Sequence, residues 1–210
     1  MIKGRFITFE GGEGTGKSTQ VKLLASYLSQ SGADVIQTRE PGGSPSAEEI
    51  RALLVTGAAD RWSPLAETLL FYAARVEHWR QIIEPSIARG AHVLCDRFAD
   101  STIAYQAYAG GLDRHMVEKL HRLVMTGVEP DLTIVLDLPV DEGLNRAASR
   151  RDSETRFERK GREFHERLRQ GFLDIAHRFP NRCFVIDASQ SIERIHSAVL
   201  AALKLRLRVE

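Results

Sequence analysis

The chain is short of several things, and each shortage narrows what it can be. Its 210 residues include two cysteines, Cys95 and Cys183, each inside a short apolar run, with neither metal-ligand spacing nor a disulfide-framework pattern. Both are expected to be buried free thiols in a reducing compartment. No apolar run approaches the roughly 20 residues of a membrane span. Neither charge sign prevails: 29 Lys and Arg face 28 Asp and Glu, so no global field points to nucleic acid or a membrane surface. The seven histidines are scattered and none is paired with a nucleophile in a motif. No secretory leader precedes the first strand-like run, and a cytoplasmic location is expected. There is no internal repeat and no low-complexity tract. A length of 210 residues with 43% hydrophobic content suits one α/β domain, residues 1–210.

What is present begins with Gly11-Gly-Glu-Gly-Thr-Gly16-Lys17-Ser18, a full match to G-x-x-x-x-G-K-[ST]. Arg5–Glu10 before it is β-branched and aromatic, as a buried strand is. The residues from Ser18 to Leu28 after it carry apolar side chains at helical spacing. Strand, glycine loop and helix in that order make a polyphosphate site. The loop's N–H groups point inward, and the helix N-terminus adds partial positive charge. Gly11, Gly12, Glu13, Gly14, Thr15, Gly16, Lys17, Ser18 and Thr19 are therefore expected to hold ATP. Lys17 would serve the β- and γ-phosphates, and the Ser18 hydroxyl would serve Mg²⁺.

Short apolar runs recur at Phe6–Glu10, Asp34–Thr38, His92–Cys95, Leu132–Leu138 and Cys183–Ile186. Helical periodicity fits roughly 17–30, 46–56, 64–89, 113–126, 140–150, 162–178 and 191–207. This alternation implies βαβ crossovers. The expected fold is α/β, a P-loop NTPase with a five-stranded parallel sheet in the order 2-3-1-4-5, helices on both faces and a short lid. Residues 146–162 hold seven Arg and Lys, three acids (Asp152, Glu154 and Glu158) and one large apolar side chain, Phe157. A segment that polar is expected outside the core, as a solvated loop or a lid.

A P-loop alone does not say what is done with the nucleotide. There is no Asn-Lys-x-Asp guanine-reading motif, and the third strand ends in Asp96-Arg97, one acid and one base, rather than the acid pair usual in motor ATPases. Asp96 at a strand's carboxyl end is placed to hold Mg²⁺ directly or through water. Arg97 suits an anionic second substrate. Arg39 stands at another strand tip before the turn Pro41-Gly42-Gly43. Phe71 and Arg75, four apart, share a helix face, so a ring can stack on a base while a guanidinium bonds its edge.

Five stretches occur together in one order: Phe9–Thr19, Thr38–Gly43, Phe71–Arg75, Asp96–Phe98 with Ser101–Gln106, and Pro130–Asp137. In this set the chain resembles thymidylate kinases. The resemblance implies transfer of the γ-phosphoryl of ATP to dTMP, with Mg²⁺ as the metal and a homodimer packed through long helices. It also assigns roles. Phe71 resembles the thymine-stacking ring and Arg75 the donor to a thymine oxygen. Arg39 and Arg97 resemble clamps on the dTMP phosphate. Ser101, Thr102 and Gln106 belong to the segment lining the base site, and Tyr105 crowds the sugar's 2′ position. Glu13 resembles the carboxylate near the 3′-hydroxyl and the metal.

Some members carry a catalytic arginine in the P-loop and others in the lid. Here Gly14 fills the P-loop position, so the lid type is implied. Arg150, Arg151 and Arg156 are the candidates, and Arg156-Phe157-Glu158 fits the lid motif best. An arginine placed at Gly14 would be expected to replace a lost lid arginine in part. Phe98 departs from the Tyr or His usual in the family and removes a hydroxyl near the phosphate site. Two other readings stay open at this stage: a kinase for a different nucleoside monophosphate, and a regulatory P-loop ATPase.

Overall fold

The computed structural model describes residues 4–58, 60–149, 156–158 and 160–207. Its sheet has five parallel strands, β1 (Phe6–Glu10), β2 (Val35–Arg39), β3 (His92–Asp96), β4 (Leu132–Asp137) and β5 (Cys183–Asp187), in the order β2-β3-β1-β4-β5. This is the topology the alternation implied. The placement of each strand follows from its composition. The near-continuous apolar runs of β1, β3 and β4 are buried and central, whereas Val-Ile-Gln-Thr-Arg of β2 and Cys-Phe-Val-Ile-Asp of β5 are partly exposed and form the edges.

Side chains alternate between the two faces of the sheet. Ile7, Phe9, Leu94, Ile134 and Leu136 pack on one side against helices α1 (Lys17–Gln30) and α9 (Ile192–Leu207) through Leu24, Leu28 and Val199. Phe6, Val93, Cys95 and Val135 point to the other side. There they meet α3 (Pro64–His78), α6 (Arg114–Met125) and α8 (Arg162–Arg178) through Tyr72, Val117, Leu168 and Phe172. Cys95 and Cys183 are buried free thiols, as expected. No described helix is long and apolar enough to cross a membrane.

Helix α2 spans Pro45–Val55. The helix expected over 64–89 divides into α3, a π-helical stretch at Trp79–Ile83 and α4 (Glu84–Ala88). Pro85 has no N–H for the preceding turn, and a widened turn accommodates that loss. A further helix escaped the periodicity: α5 (Ala99–Thr102) runs into a π-helical stretch at Ile103–Ala109. Nearly every residue in it is buried. It therefore shows no polar face from which a helical period can be read.

The carboxyl ends of β1, β2 and β3 open onto one edge of the sheet, which is where ligands enter such folds. There the P-loop meets α7 (Val140–Ala148) glycine to glycine. Gly14 has φ 69°, and a Cβ on it would lie 2.0 Å from the Gly143 carbonyl oxygen. A Cβ on Gly143 would lie 2.5 Å from the Glu13 carbonyl oxygen. The idea that arginine at position 14 restores a lost lid charge therefore fails, because any side chain there collides with α7 backbone. Gly143→Ala is expected to destabilise the fold by about 1–3 kcal/mol, the usual cost of overpacking. Urea denaturation checks this, and an unchanged midpoint would show that α7 shifts without resistance.

Candidate active site

Lys17 is buried on the loop that it terminates. Its Nζ donates to the Gly12 carbonyl at 2.7 Å, the Gly11 carbonyl at 3.2 Å and Thr15 Oγ1 at 3.2 Å. Burial lowers its pKa to about 8, with Arg97 adding to the effect against the pull of Asp96 and Glu13. Gly16, in the left-handed conformation, turns the chain into α1. Ser18 is the next residue, exposed at the cleft mouth, and its Oγ donates to Asp96 Oδ2 at 2.5 Å. Thr19 is also exposed, outside the cleft lining.

Arg97 follows β3 with φ 70°, a strained value for a residue with a side chain. The bend aims its guanidinium back at the P-loop. It donates to the Gly11 carbonyl at 2.9 Å, Ser101 Oγ at 3.1 Å and Glu13 Oε1 at 3.2 Å. The Tyr105 hydroxyl donates to the same Glu13 oxygen. Burial alone would raise the Glu13 pKa, but Arg97 and Lys17 prevail and hold it at about 2. Beneath them lies Glu10, which accepts from Phe98 N–H at 2.7 Å and Ser101 Oγ at 2.6 Å and so pins the bend. Burial and nearby Asp100 push its pKa up to about 8.

Arg75 and Gln106 mark the far end of the cleft. Arg75 is 2% exposed. Its Nε donates to Glu40 Oε2 at 2.7 Å, and its Nη2 donates to the Phe98 carbonyl at 3.1 Å and Thr102 Oγ1 at 3.0 Å. Its Nη1 is buried with no hydrogen-bond partner among the described residues. Gln106 Nε2 donates to Glu67 Oε2 at 3.1 Å, and its Oε1 is likewise unpartnered. Phe71 and Phe157 face each other at 6.2 Å between centroids, and Tyr105 stands edge-on to Phe157 at 5.4 Å. P-loop, Arg39, Arg97 and this aromatic end line one cleft of about 270 Å³. Arg39 holds the open rim, paired with Glu48 at 3.3 Å.

The structure thus brings together Glu13, Lys17, Ser18, Arg39, Phe71, Arg75, Asp96, Arg97, Ser101, Thr102, Tyr105 and Gln106 around one cleft. Gly11 and Gly12 stand behind it as acceptors for Arg97 and Lys17. Arg156 is the exception, and its expected position in a solvated lid is corrected. It is 1% exposed, donating to the Leu54 carbonyl at 3.1 Å, the Ala58 carbonyl at 2.9 Å and the Glu67 carboxylate. These acceptors compensate the buried guanidinium, and they lie on α2, α3 and the connection between them. Arg150 and Arg151 lie outside the described residues.

Phe98 lies in the core at the edge of the cleft, edge-on to Phe6 at 4.9 Å and under Arg75. The sequence reading missed Glu10, Glu40 and Glu67. Glu10 ends β1 just before the P-loop and Glu40 follows Arg39, inside motifs whose spacing gives neither a role.

Ser18 and Asp96 offer two hard oxygen ligands at the cleft mouth, and no described cluster of three or more His, Cys, Asp or Glu could cage an ion. That donor set fits Mg²⁺, which keeps waters and substrate phosphates as most of its ligands.

The family model for thymidylate kinase matches residues 9–199. The chain belongs to the thymidylate kinase family. It is 55% identical to the thymidylate kinase of Caulobacter vibrioides over 207 residues, covering 99% of each chain. It is 50% identical to that of Ruegeria pomeroyi, covering 93% of this chain and 92% of the relative. The crystal structure of thymidylate kinase from Ehrlichia chaffeensis superimposes with a TM-score of 0.78 at 41% identity, covering 96% of this chain and 99% of the other.

The lowered pKa of Lys17 has a measurable sign. A protonated lysine attracts phosphate, and below pH 8 Lys17 is mostly protonated in the free enzyme. ATP affinity should stay level up to about pH 7.5 and then fall by up to about tenfold per pH unit above the free-enzyme value. Binding isotherms between pH 6.5 and 9.5 check this, and a flat profile would contradict it.

Proposed function

We propose that this chain transfers the γ-phosphoryl group of ATP to the phosphate of dTMP, giving dTDP and ADP, in one domain with a lid at 146–162. The observation that carries the reading is the pair of unpartnered atoms at the aromatic end of the cleft. Arg75 Nη1 is a donor and Gln106 Oε1 an acceptor. Thymine offers the complement, the O4 acceptor beside the N3–H donor. Cytosine presents the reverse, a donor at N4 and an acceptor at N3. Phe71 supplies the stacking face.

From the base, dTMP extends along the cleft so that its phosphate comes to Arg97 and Arg39. The P-loop holds the triphosphate of ATP against the same guanidinium. The dTMP phosphate is already ionised at neutral pH and needs no general base. One of its oxygens bonds to the γ-phosphorus as the bond from that phosphorus to the β–γ bridging oxygen breaks, and the electron pair leaves on ADP. The two anions repel each other. Lys17 and Arg97 offset that repulsion, and Lys17 meets the charge that grows on the transferring group. Glu13, fixed by Arg97 and Tyr105, stands where the sugar's 3′-hydroxyl comes to lie. Ser18 and Asp96 would hold Mg²⁺, which would supply positive charge against the phosphates.

The exposed apolar side chains Leu53, Leu65, Leu69, Met116 and Leu123 on α2, α3 and α6 support a homodimer. The two free buried thiols support a reducing, cytoplasmic setting.

ADP release coupled to a panel of monophosphates tests the reading. The wild-type chain should turn over dTMP far faster than dCMP or dGMP. Arg75→Ala should raise the dTMP KM by about 10- to 100-fold, as loss of a buried polar contact does. Equal rates with dCMP, or a wild-type KM in Arg75→Ala, would overturn the base assignment.

A further inference from the structure

The orientation of the Gln106 amide decides which hydrogen-bonding group faces the base, and Gln106 does not set that orientation itself. An amide presents either oxygen or nitrogen with nearly the same shape. Here the choice is made by Glu67, which is 6% exposed. Its Oε2 takes the Gln106 Nε2 donor at 3.1 Å, and an ion-paired carboxylate can only accept, so the amide nitrogen turns to Glu67 and the oxygen is left as the end with no partner among the described residues, on a side chain that lines the cleft. The other Glu67 oxygen is held by Arg156. Arg156 is anchored in turn on the Leu54 and Ala58 carbonyls. The neighbouring Phe157 ring faces Phe71 across the base end of the cleft.

Resting on the reading of this cleft as the thymine pocket, we propose that the buried Arg156–Glu67 pair is the positioning device for pyrimidine choice: it locks Gln106 with its oxygen toward the base and so admits N3–H of thymine while refusing N3 of cytosine. Arg156, within the segment 146–162, then serves base selection rather than phosphoryl transfer. A purely structural pair would hold the α2–α3 connection in place but would be indifferent to which pyrimidine is bound. The Arg156–Glu67 pair is joined to a side chain whose two ends differ in hydrogen-bonding sense.

The test replaces the acceptor by a group that can also donate. In Glu67→Gln the new amide can give its N–H to Gln106 Oε1, so Gln106 is free to turn its nitrogen to the base. The dTMP KM should rise, and the ratio of kcat/KM for dTMP over dCMP should fall, by about 10- to 100-fold. The kcat for dTMP at saturation should stay within about threefold, since the phosphate end is untouched. The double variant Glu67→Gln with Gln106→Glu restores an acceptor-only group at position 106 and should recover most of the preference for dTMP, which general loosening of the fold would not do.

Circular dichroism and thermal melting show which variants are folded. Glu67→Ala, which removes the acceptor that orients Gln106, supplies the ratio if Glu67→Gln does not fold. An unchanged dTMP/dCMP ratio in every folded variant, or a ratio not recovered in the double variant, would overturn the proposal. A wild-type chain that does not phosphorylate dTMP at all would instead overturn the reading of the cleft on which it rests.

Discussion

The Arg97 guanidinium is the joint on which the cleft depends. β3 delivers its last residues beside β1, and the left-handed backbone at Arg97 turns the side chain across the top of the sheet onto the Gly11 carbonyl and Glu13. One side chain thereby ties the phosphate loop to the helix that begins at Ala99 and carries Ser101, Thr102, Tyr105 and Gln106. The strained φ is held in place by Glu10 below, which binds the backbone just after the bend. Strain persisting at a site because its surroundings over-determine it is common where geometry must be exact to a fraction of an ångström.

Burying so many charges at one sheet edge is costly unless each has a partner. The partners divide the cleft into two chemically different ends. At the P-loop end, Lys17, Arg97 and Glu13 share one water-poor patch. Arg97 and Lys17 hold the Glu13 pKa at about 2, while burial, with Arg97 adding to it, lowers that of Lys17 to about 8. A net positive patch of this kind is suited to polyphosphate. At the other end, Arg75 is neutralised by Glu40, and Glu40 in turn bonds His78 Nδ1 at 3.1 Å. There the remaining capacity is one donor and one acceptor rather than net charge, which suits a neutral base edge.

The legible parts of the molecule were those where local pattern and tertiary role coincide. β1, β3 and β4 are buried on both faces, so their apolar runs announced them. The P-loop motif spans eight consecutive residues, and Arg39 and Asp96 stand where strands end. The helix at 99–109 was hidden because it is enclosed on all sides and has no wet face to set a period. Arg156 was misplaced for the opposite reason. Its sequence neighbours are charged, so its segment reads as solvated. What buries it are carbonyls at Leu54 and Ala58 and a carboxylate at Glu67, all remote in sequence. Buried polar networks assembled from distant segments leave no local trace, which is also why Glu10, Glu40 and Glu67 went without a role.

The most direct test of the account is the turnover of Arg97→Ala with ATP and dTMP both saturating, compared with the wild-type chain. If Arg97 aligns the two phosphates and offsets their repulsion during transfer, kcat should fall by about 10²- to 10³-fold, the usual loss when one preorganised charge donor is removed, while circular dichroism stays native. A folded variant whose kcat remains within about threefold of wild type would contradict the account, because the cleft would then carry out the transfer without the guanidinium that joins its two ends.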